Sequence, residues 1–271
     1  MSMLRKHPVV TVFGVVGIGF LWLPIVVVVV NSFNRDTNLV RWGGFTLTWF
    51  RQAAADPQVR SGVISSLELG LATAAVSVVV ALTGVLWWRK ASPRGRRVFD
   101  ALVYSRLVLP EVVLATSLFL IFSRAGVRLN MVTAVIGHTV WASAFATVIL
   151  QASAKLLSEE VEEAAADLGA TPFGVLFRVT LPGLAPGMIA AGLLAFSLSF
   201  DDVVTTLFLA GSGLSTLPLL IMGLIRFRVT PEVNAIGALV TTSMIVSTLV
   251  VVWLVTRRAR GKGSLARGMG M

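Results

Sequence analysis

Six long apolar stretches constrain this chain more than any other feature of its sequence. Each contains about 20 or more mainly apolar residues, the length that an α-helix needs to cross the hydrocarbon core of a bilayer. Their approximate bounds are residues 9–30, 63–88, 101–122, 131–150, 185–210 and 234–255. Helices and closed barrels alone satisfy their backbone hydrogen bonds in lipid. The sequence therefore predicts an all-α integral membrane protein with six spans in a single domain, residues 1–260.

The composition agrees with a membrane protein and excludes several other classes. Hydrophobic residues make up 56% of the chain and charged residues 13%, whereas a soluble domain carries about 25% charged residues. The absence of cysteine excludes disulfides and thiolate chemistry. The two histidines are too few for a His-rich metal site, and His138 is predicted to pack within a helix. We expect no metal site and no nucleic-acid partner, because the net charge of +10 fits basic loops beside membrane spans.

Basic residues alternate between the two sides of the predicted spans. Fourteen lysines and arginines lie in the amino terminus, the second and fourth connections and the carboxyl-terminal tail, and eight lie in the other connections. The more basic side of a membrane protein is the cytoplasmic side. The sequence therefore predicts a multi-pass protein with both termini in the cytoplasm. Residues 261–271 are predicted to form a basic, disordered tail.

The connection between the fourth and fifth spans, residues 152–184, carries more pattern than a passive loop needs. Ser158 is a good helix N-cap, and glutamates fill the next turns, where the helix dipole favours anions. Apolar residues recur there at helical spacing and form one narrow stripe: Val161, Ala164, Ala165 and Leu168. Gly169 can end this helix, and Pro172 can begin a second one. Pro182 and Pro186 are expected to stop the second helix. Such a unit suits a groove on another protein, and the alternative is a solvated amphipathic loop without a partner.

A fixed spacing of residues runs through this connection. Glu163-Ala164-Ala165 is followed by three residues and Gly169, and then by nine residues and Val179-x-Leu181-Pro182. This pattern resembles the EAA motif of bacterial ABC importer permeases, which has Ile more often than Val at the position of Val179. In that family the loop forms coupling helices that dock on the ATP-hydrolysing subunit. The resemblance implies an ATPase-coupling role for Glu162, Glu163, Ala164, Ala165, Gly169, Ala170, Leu181 and Pro182.

Further stretches narrow the resemblance to one branch of the family. Residues 24–34, 42–50, 196–204, 217–219 and 229–235 are similar to segments of the C-type permease of spermidine/putrescine importers. The resemblance implies the type I ABC importer permease (MetI-like) fold, with six transmembrane helices and cytoplasmic coupling helices, in the bacterial cytoplasmic membrane. It also implies a polyamine cargo. Related permeases for opines, phosphonates and ferric iron share parts of the pattern and remain alternatives.

The partners follow from the same resemblance. No Walker A pattern is present, so ATP and magnesium are expected on a separate ATPase and this chain is expected to be non-catalytic, with no cofactor of its own. The implied partners are a second, homologous permease, a dimeric ATP-binding subunit, an extracytoplasmic substrate-binding protein and membrane lipid. A secondary transporter would show inverted repeats, and a membrane enzyme that binds magnesium diphosphate would need a second acidic cluster. Neither feature is evident.

Carboxylates in or beside the spans are the candidates for contact with a cationic cargo: Glu68, Glu111, Asp201 and Asp202. An ionisable side chain in hydrocarbon costs about 2.5–3.5 kcal/mol, so each needs a partner or a watery path. Glu111 follows Pro110, where a kink is expected. Trp141 and Phe145 are further candidates, because aromatic faces attract ammonium groups. In the alternative interpretation, Glu111 pairs with Arg106 or with a partner subunit, and the two aspartates cap or brace a helix end.

Overall fold

The computed structural model describes residues 8–37, 39, 41–227, 230–246 and 249, and most of these residues are helical. A π-helical stretch, Leu176–Thr180, joins α8 to α9 without interruption. The helices are α1 (Pro8–Asn31), α2 (Thr48–Ala55), α3 (Pro57–Lys90), α4 (Pro93–Val108), α5 (Glu111–Arg124), α6 (Met131–Lys155), α7 (Glu159–Asp167), α8 (Pro172–Val175), α9 (Leu181–Asp201), α10 (Val204–Leu209), α11 (Leu217–Phe227) and α12 (Pro231–Val246).

Four helical segments in the described part of the chain are long and apolar enough to cross a membrane. They are Thr11–Asn31, Pro57–Lys90, Met131–Lys155 and Pro172–Asp201. Helices α4 and α5 pass the same test only as a bent pair, and α11 and α12 are shorter apolar helices. The sixth predicted span, 234–255, continues beyond α12 into residues outside the described ranges, as does the predicted tail, 261–271. The structure therefore shows a multi-pass protein, and the count of six spans stays a prediction.

The third predicted span is broken at its centre. The kink expected at Pro110 within residues 101–122 is a complete break: α4 and α5 flank Leu109 and Pro110 and are bent by 101°. Leu109 is extended, with φ −66° and ψ 130°, because a residue that precedes proline is disfavoured in the α region. Pro110 has no N–H to donate into a helical ladder. Glu111 consequently becomes the first residue of α5, beside the break.

The fifth predicted span begins earlier than the sequence suggests. Pro182 and Pro186 were expected to stop a short helix, yet both lie inside the continuous helical segment Pro172–Asp201. The π-helical stretch explains this tolerance, because the Leu181 N–H bonds to the Leu176 carbonyl, five residues back. The register of backbone hydrogen bonds thus changes where Pro182 has no donor to offer.

The fifth predicted span also ends earlier, because the acidic pair terminates its helix. Helix α9 stops at Asp201, the backbone of Asp202 is extended, and α10 starts separately at Val204. The Asp202 carboxylate accepts the Thr205 N–H at 2.8 Å, and the Thr206 hydroxyl donates to the Asp202 carbonyl at 2.9 Å. These bonds stabilise the turn between the two helices. The expectation of one helix over residues 185–210 is therefore wrong.

The described residues fall into two compact units, and the single domain over residues 1–260 stays a prediction. The first contains the residues up to Arg60 together with those from 220 to 249, and the second contains Ser61–Leu219. Within the first unit, Gly237 of α12 lies beside Val28 of α1. The apolar window of α1 has a mean hydropathy of 2.7 and no buried residue. Such a uniformly apolar helix carries no stripe that would reveal its packing partner in the sequence.

The core of the second unit forms where α6 and α9 pack together. Small residues allow this close approach, and Gly187 of α9 lies so near Ser153 of α6 that a Cβ would not fit. Similarly, the Leu209 and Thr205 side chains of α10 pack directly against Gly137 of α6, where a Cβ would not fit. The buried core residues are Ala81, Val85, Ala146, Leu150, Ala154, Leu184 and Ala191. This packing fixes α5, α6, α9 and α10 around the polar residues described below.

Candidate functional site

Helix α7 ends in a Schellman motif centred on Gly169. The Gly169 N–H bonds to the Ala166 carbonyl at 2.8 Å, and the Ala170 N–H bonds to the Ala165 carbonyl at 3.1 Å. Gly169 has φ +87°, and no heavy atom lies within 4 Å of the position that a Cβ would occupy. The backbone conformation, and not a lack of space, is therefore what requires glycine here.

The two short helices of this loop begin at Ser158 and Thr171. Ser158 has the extended backbone of an N-cap, although its side chain forms no capping hydrogen bond. The Thr171 hydroxyl accepts the Gly174 N–H at 3.2 Å, and Pro172 occupies the first turn of α8. The chain thus turns sharply at Gly169 and continues into α9 through the π-helical stretch. Leu181 is half-buried and Pro182 is exposed within that continuous segment.

Glu162 and Glu163 face different surroundings. The Glu162 carboxylate binds Arg89 of α3 through two oxygens, at 2.8 and 3.0 Å, and accepts the Thr180 hydroxyl at 2.6 Å. Glu163 and Ala164 are exposed, and Ala165 and Ala170 are half-buried. Glu162 therefore contacts other helices of this chain, whereas Glu163 and Ala164 remain accessible.

Large apolar side chains are exposed along this loop. Leu168 is 90% exposed, Phe173 is 73% exposed and Val161 is 54% exposed. Apolar patches rimmed by polar residues on a protein surface mark sites of interaction with other proteins or with a membrane. These side chains are therefore accessible to a partner, and the choice between a docking surface and a solvated loop stays a prediction.

A cavity of about 790 Å³ lies between the carboxyl-terminal end of α3 and the segment that contains α7, α8 and the π-helical stretch. Apolar residues and the charged groups of both elements line it together. The lining residues are Leu86, Trp87, Arg89, Lys90, Glu159, Glu162, Glu163, Ala166, Pro172, Phe173, Val175, Leu176 and Thr180. The two elements are therefore separated by open space over part of their facing surfaces.

A second group of the sequence-predicted residues meets inside the second unit. Thr205 links the two acids that matter here: its N–H donates to Asp202 Oδ1 at 2.8 Å, and its hydroxyl donates to Glu111 Oε1 at 3.2 Å. Asp202 is only 7% exposed, and Glu111 is half-buried. The break at Pro110 and the turn after α9 thus bring two carboxylates from distant parts of the sequence to one residue.

His138 of α6 completes this buried cluster. The Thr206 hydroxyl has a single proton, which it donates to the Asp202 carbonyl, so its oxygen accepts from His138 Nε2 at 3.1 Å. His138 Nδ1 lies 2.8 Å from the Ser199 hydroxyl oxygen. The bond to Thr206 places a proton on Nε2. Asp202 Oδ2 lies 3.6 Å from Nε2 and accepts no hydrogen bond from the described residues.

The other predicted residues of a cargo path lie outside this cluster. Asp201 and Glu68 are exposed. Trp141 and Phe145 are half-buried on α6, in an edge-to-face contact with ring centroids 5.1 Å apart. Arg106 donates from Nε to the Val140 carbonyl at 3.2 Å, and no ion pair joins it to Glu111 in the described chain. Within the described chain, Arg106 therefore binds the backbone of α6 and does not pair with Glu111.

Several members of the cluster were not identified as site residues from the sequence. His138 was expected only to pack within a helix, and Ser199, Thr205 and Thr206 were not assigned to the site. The available signal was the pair of threonines one turn after two aspartates, because hydroxyl groups in an apolar segment tend to bond to neighbouring polar groups. No local pattern could indicate the contact with His138, since it joins residues 61 and 68 positions apart.

Comparisons with known proteins agree with this architecture. The family model for the binding-protein-dependent transport system inner membrane component matches residues 76–262. The putrescine transport system permease protein PotI of Escherichia coli strain K12 is 33% identical over 231 residues, which cover 83% of this chain and 82% of the relative. The spermidine/putrescine transport system permease protein PotC of Haemophilus influenzae is 31% identical over 243 residues, covering 88% and 93%.

Solved structures confirm the expected fold. A bacterial ABC transporter that imports the acidic polysaccharide alginate has a TM-score of 0.65 and 14% sequence identity, with 96% of this chain and 97% of that chain covered. The sequence expectation of a non-catalytic transport subunit with a type I ABC importer permease fold is thereby confirmed. The chain belongs to the binding-protein-dependent transport system inner membrane component family.

Proposed function

We propose that this chain forms part of the membrane path of a polyamine importer and that its cargo is putrescine or spermidine. The observation that carries the proposal is the pair of carboxylates, Glu111 and Asp202, joined through Thr205 inside apolar helices. Placing two ionised carboxylates in apolar surroundings costs free energy unless a cation shares the site. The names of the relatives, which are putrescine and spermidine/putrescine permeases, support the same cargo.

The two acids suit successive contacts with an ammonium group. Glu111 is the more accessible acid and lies at the break between α4 and α5, where backbone regularity is already lost. Asp202 is buried, and its Oδ2 accepts no hydrogen bond in the described chain. A transport path needs sites that bind a cation and also release it. One accessible and one buried carboxylate satisfy that requirement better than a closed cage.

The exposed face formed by α7, α8 and the turn between them is proposed to dock on the ATPase. Val161, Leu168 and Phe173 supply apolar contacts and Glu163 supplies charge, on a rigid turn fixed by Gly169. In this proposal ATP and magnesium are bound by a dimeric partner ATPase and this chain binds no cofactor. A second permease encloses the path, and an external binding protein delivers the cargo.

Co-purification tests the ATPase docking. Leu168→Glu places a charge on the exposed stripe, and we expect the ATPase to be lost from the detergent-solubilised complex. Leu47→Glu is the matched control, because Leu47 is 47% exposed and lies just before α2, in a connection that is predicted to be external. The control should retain the ATPase. Loss with both variants, or with neither, would contradict the assignment of the docking face.

The topology gives a separate prediction, namely six spans with both ends in the cytoplasm. The chain has no cysteine, so single cysteines at Asp36, Glu160 and Arg260 can each be labelled without background. A membrane-impermeant maleimide should reach Asp36→Cys from outside, and Glu160→Cys and Arg260→Cys only after the cells are opened. Labelling of Asp36→Cys and Arg260→Cys from the same side would refute the topology.

A further inference from the structure

We infer that Glu162 is a positioning residue that clamps the docking helix α7 to the carboxyl-terminal end of α3. The clamp consists of Arg89, Glu162 and Thr180, and its role is to carry the movement of α7 into α3. This inference rests on the proposed function, in which the exposed face of α7 docks on the ATPase. It changes the role that the sequence resemblance implied for Glu162, from a contact with the ATPase to a contact within the permease.

The geometry of the clamp is that of a strong, directional ion pair. Arg89 Nη1 and Nη2 donate to the two Glu162 oxygens at 2.8 and 3.0 Å, and the Thr180 hydroxyl adds a third bond at 2.6 Å. Two parallel bonds between guanidinium and carboxylate fix the relative orientation of the groups as well as their distance. The side chains of Arg89 and Glu162 are only 11% and 21% exposed, so water and salt screen the pair less than a surface pair.

Glu162 is held in its charged form by this arrangement. Burial alone would raise the pKa of Glu162, but the hydrogen bonds from Arg89 and Thr180 and the positive charges of Arg89 and Lys90 lower it below its usual value. A carboxyl group with a lowered pKa contributes its full stabilisation above the pKa of the unfolded chain and loses it as the pH falls through the lowered value. The clamp therefore stays intact throughout the neutral range.

The connectivity of the chain gives the clamp its importance. Helix α7 is linked through the backbone to α6 on one side and to α8 and α9 on the other, so movement of α7 reaches those helices directly. Arg89 lies 73 residues from Glu162 in the sequence, and a cavity of about 790 Å³ separates other parts of the two elements. The clamp bridges that space and joins α7 to α3.

Further contacts extend the connection from the end of α3 toward the acid pair. Arg96 of α4 donates from Nε to the Trp88 carbonyl at 3.0 Å and from Nη2 to the Arg89 carbonyl. Its guanidinium carbon also lies 5.3 Å from the centroid of the Trp88 ring. Movement of this turn of α3 would therefore move the start of α4. Helix α4 leads to the break before Glu111, where the proposed cargo contact begins.

The clamp and the docking surface use different residues of α7. Glu163 and Ala164 are exposed, whereas Glu162 points to Arg89 and Thr180. The ATPase can thus bind the outer face of α7 without competing for the Glu162 carboxylate. A disrupted clamp should consequently leave docking intact and weaken only the transfer of movement, which distinguishes it from a defect in assembly.

The test compares Glu162→Gln with the wild type in the complete complex, reconstituted in liposomes. The amide keeps the shape of the side chain but removes the ion pair. We expect the ATPase to remain bound and hydrolysis to continue, while the number of ATP molecules used per cargo molecule rises about fivefold, a size typical of coupling between contacting residues. The exposed neighbour provides the control: Glu160→Gln makes the same chemical change and should keep the wild-type ratio.

Exchanging the charges of Arg89 and Glu162 distinguishes loss of the ion pair from a general loss of folding. Arg89→Glu should uncouple transport by itself, and the double variant Arg89→Glu with Glu162→Arg should recover at least half of the coupling. A wild-type ratio in Glu162→Gln, or a double variant no better than its single parents, would overturn the clamp.

Spin labels on cysteines at Lys90 and Glu160 report the α3–α7 distance in the permease without ATPase. Their distance distribution should broaden in Glu162→Gln. This readout still decides on the clamp if the wild-type complex proves to transport no polyamine.

Discussion

Replacing Gly169 with valine should abolish ATP-driven transport, whereas replacing it with asparagine should preserve most of it. Gly169 has φ +87° with open space around its Cβ position, so backbone strain is the only penalty that a side chain meets. That strain amounts to about 1–3 kcal/mol for a non-glycine residue in the left-handed region, is largest for a β-branched residue, and is smaller for asparagine. Uptake of labelled cargo and co-purified ATPase measure the two effects.

A matched control for this experiment lies elsewhere in the same chain. Gly126, in the connection between α5 and α6, has φ +67° and likewise no heavy atom within 4 Å of its Cβ position. Gly126→Val imposes similar strain at a place that the proposed ATPase docking does not involve, so ATPase binding should persist. Wild-type transport by Gly169→Val would show that the Schellman turn is not required for coupling.

Asp202→Asn should lower polyamine uptake about tenfold or more, while Asp201→Asn should change it less than about twofold. The structural basis is the different placement of the adjacent acids: Asp201 is the last residue of α9, whereas Asp202 follows the helix with an extended backbone. Asp202 is buried beside Glu111 and His138, whereas Asp201 is exposed. The amide also points a donor group toward His138 Nε2–H if it keeps the bond to Thr205. Initial uptake rates at saturating cargo, with basal ATP hydrolysis as the control, measure the difference.

The same pair of variants can contradict the cargo assignment. Basal hydrolysis and assembly should be retained in both, because neither aspartate lies on the docking face. If both single variants and the double variant transport normally, Asp202 serves only to hold the turn between α9 and α10. The chemical argument for a cationic cargo would then lose its main support.

Local chemistry made much of the fold predictable from the sequence. Apolar stretches of sufficient length indicated most of the spans, and the order of Ser158, Gly169 and Pro172 indicated a helix, a turn and a second helix. Each of these signals acts within a few residues, so one segment contains all the information needed. The break at Pro110 was foreseen as a kink, but its angle of 101° depends on how α4 and α5 pack against other helices.

Features that depend on tertiary contacts could not be predicted in the same way. The Glu162 side chain points toward Arg89, which lies 73 residues away in the sequence. The burial of Asp202 follows from the packing of α6 against α9, which brings His138 to the end of α9. Pro182 and Pro186 were expected to stop a helix, because proline usually does so, and the adjacent π-helical stretch was not visible in the sequence.

The most direct test of the proposed function is cargo uptake by the complete transporter in liposomes. The chain is reconstituted with its second permease, its ATPase and its external binding protein, and radiolabelled putrescine, spermidine and 2-aminoethylphosphonate are offered in parallel. The account predicts uptake of a polyamine that requires ATP and that Asp202→Asn lowers strongly, with no uptake of the phosphonate. ATP-driven uptake of the phosphonate without uptake of either polyamine would contradict it.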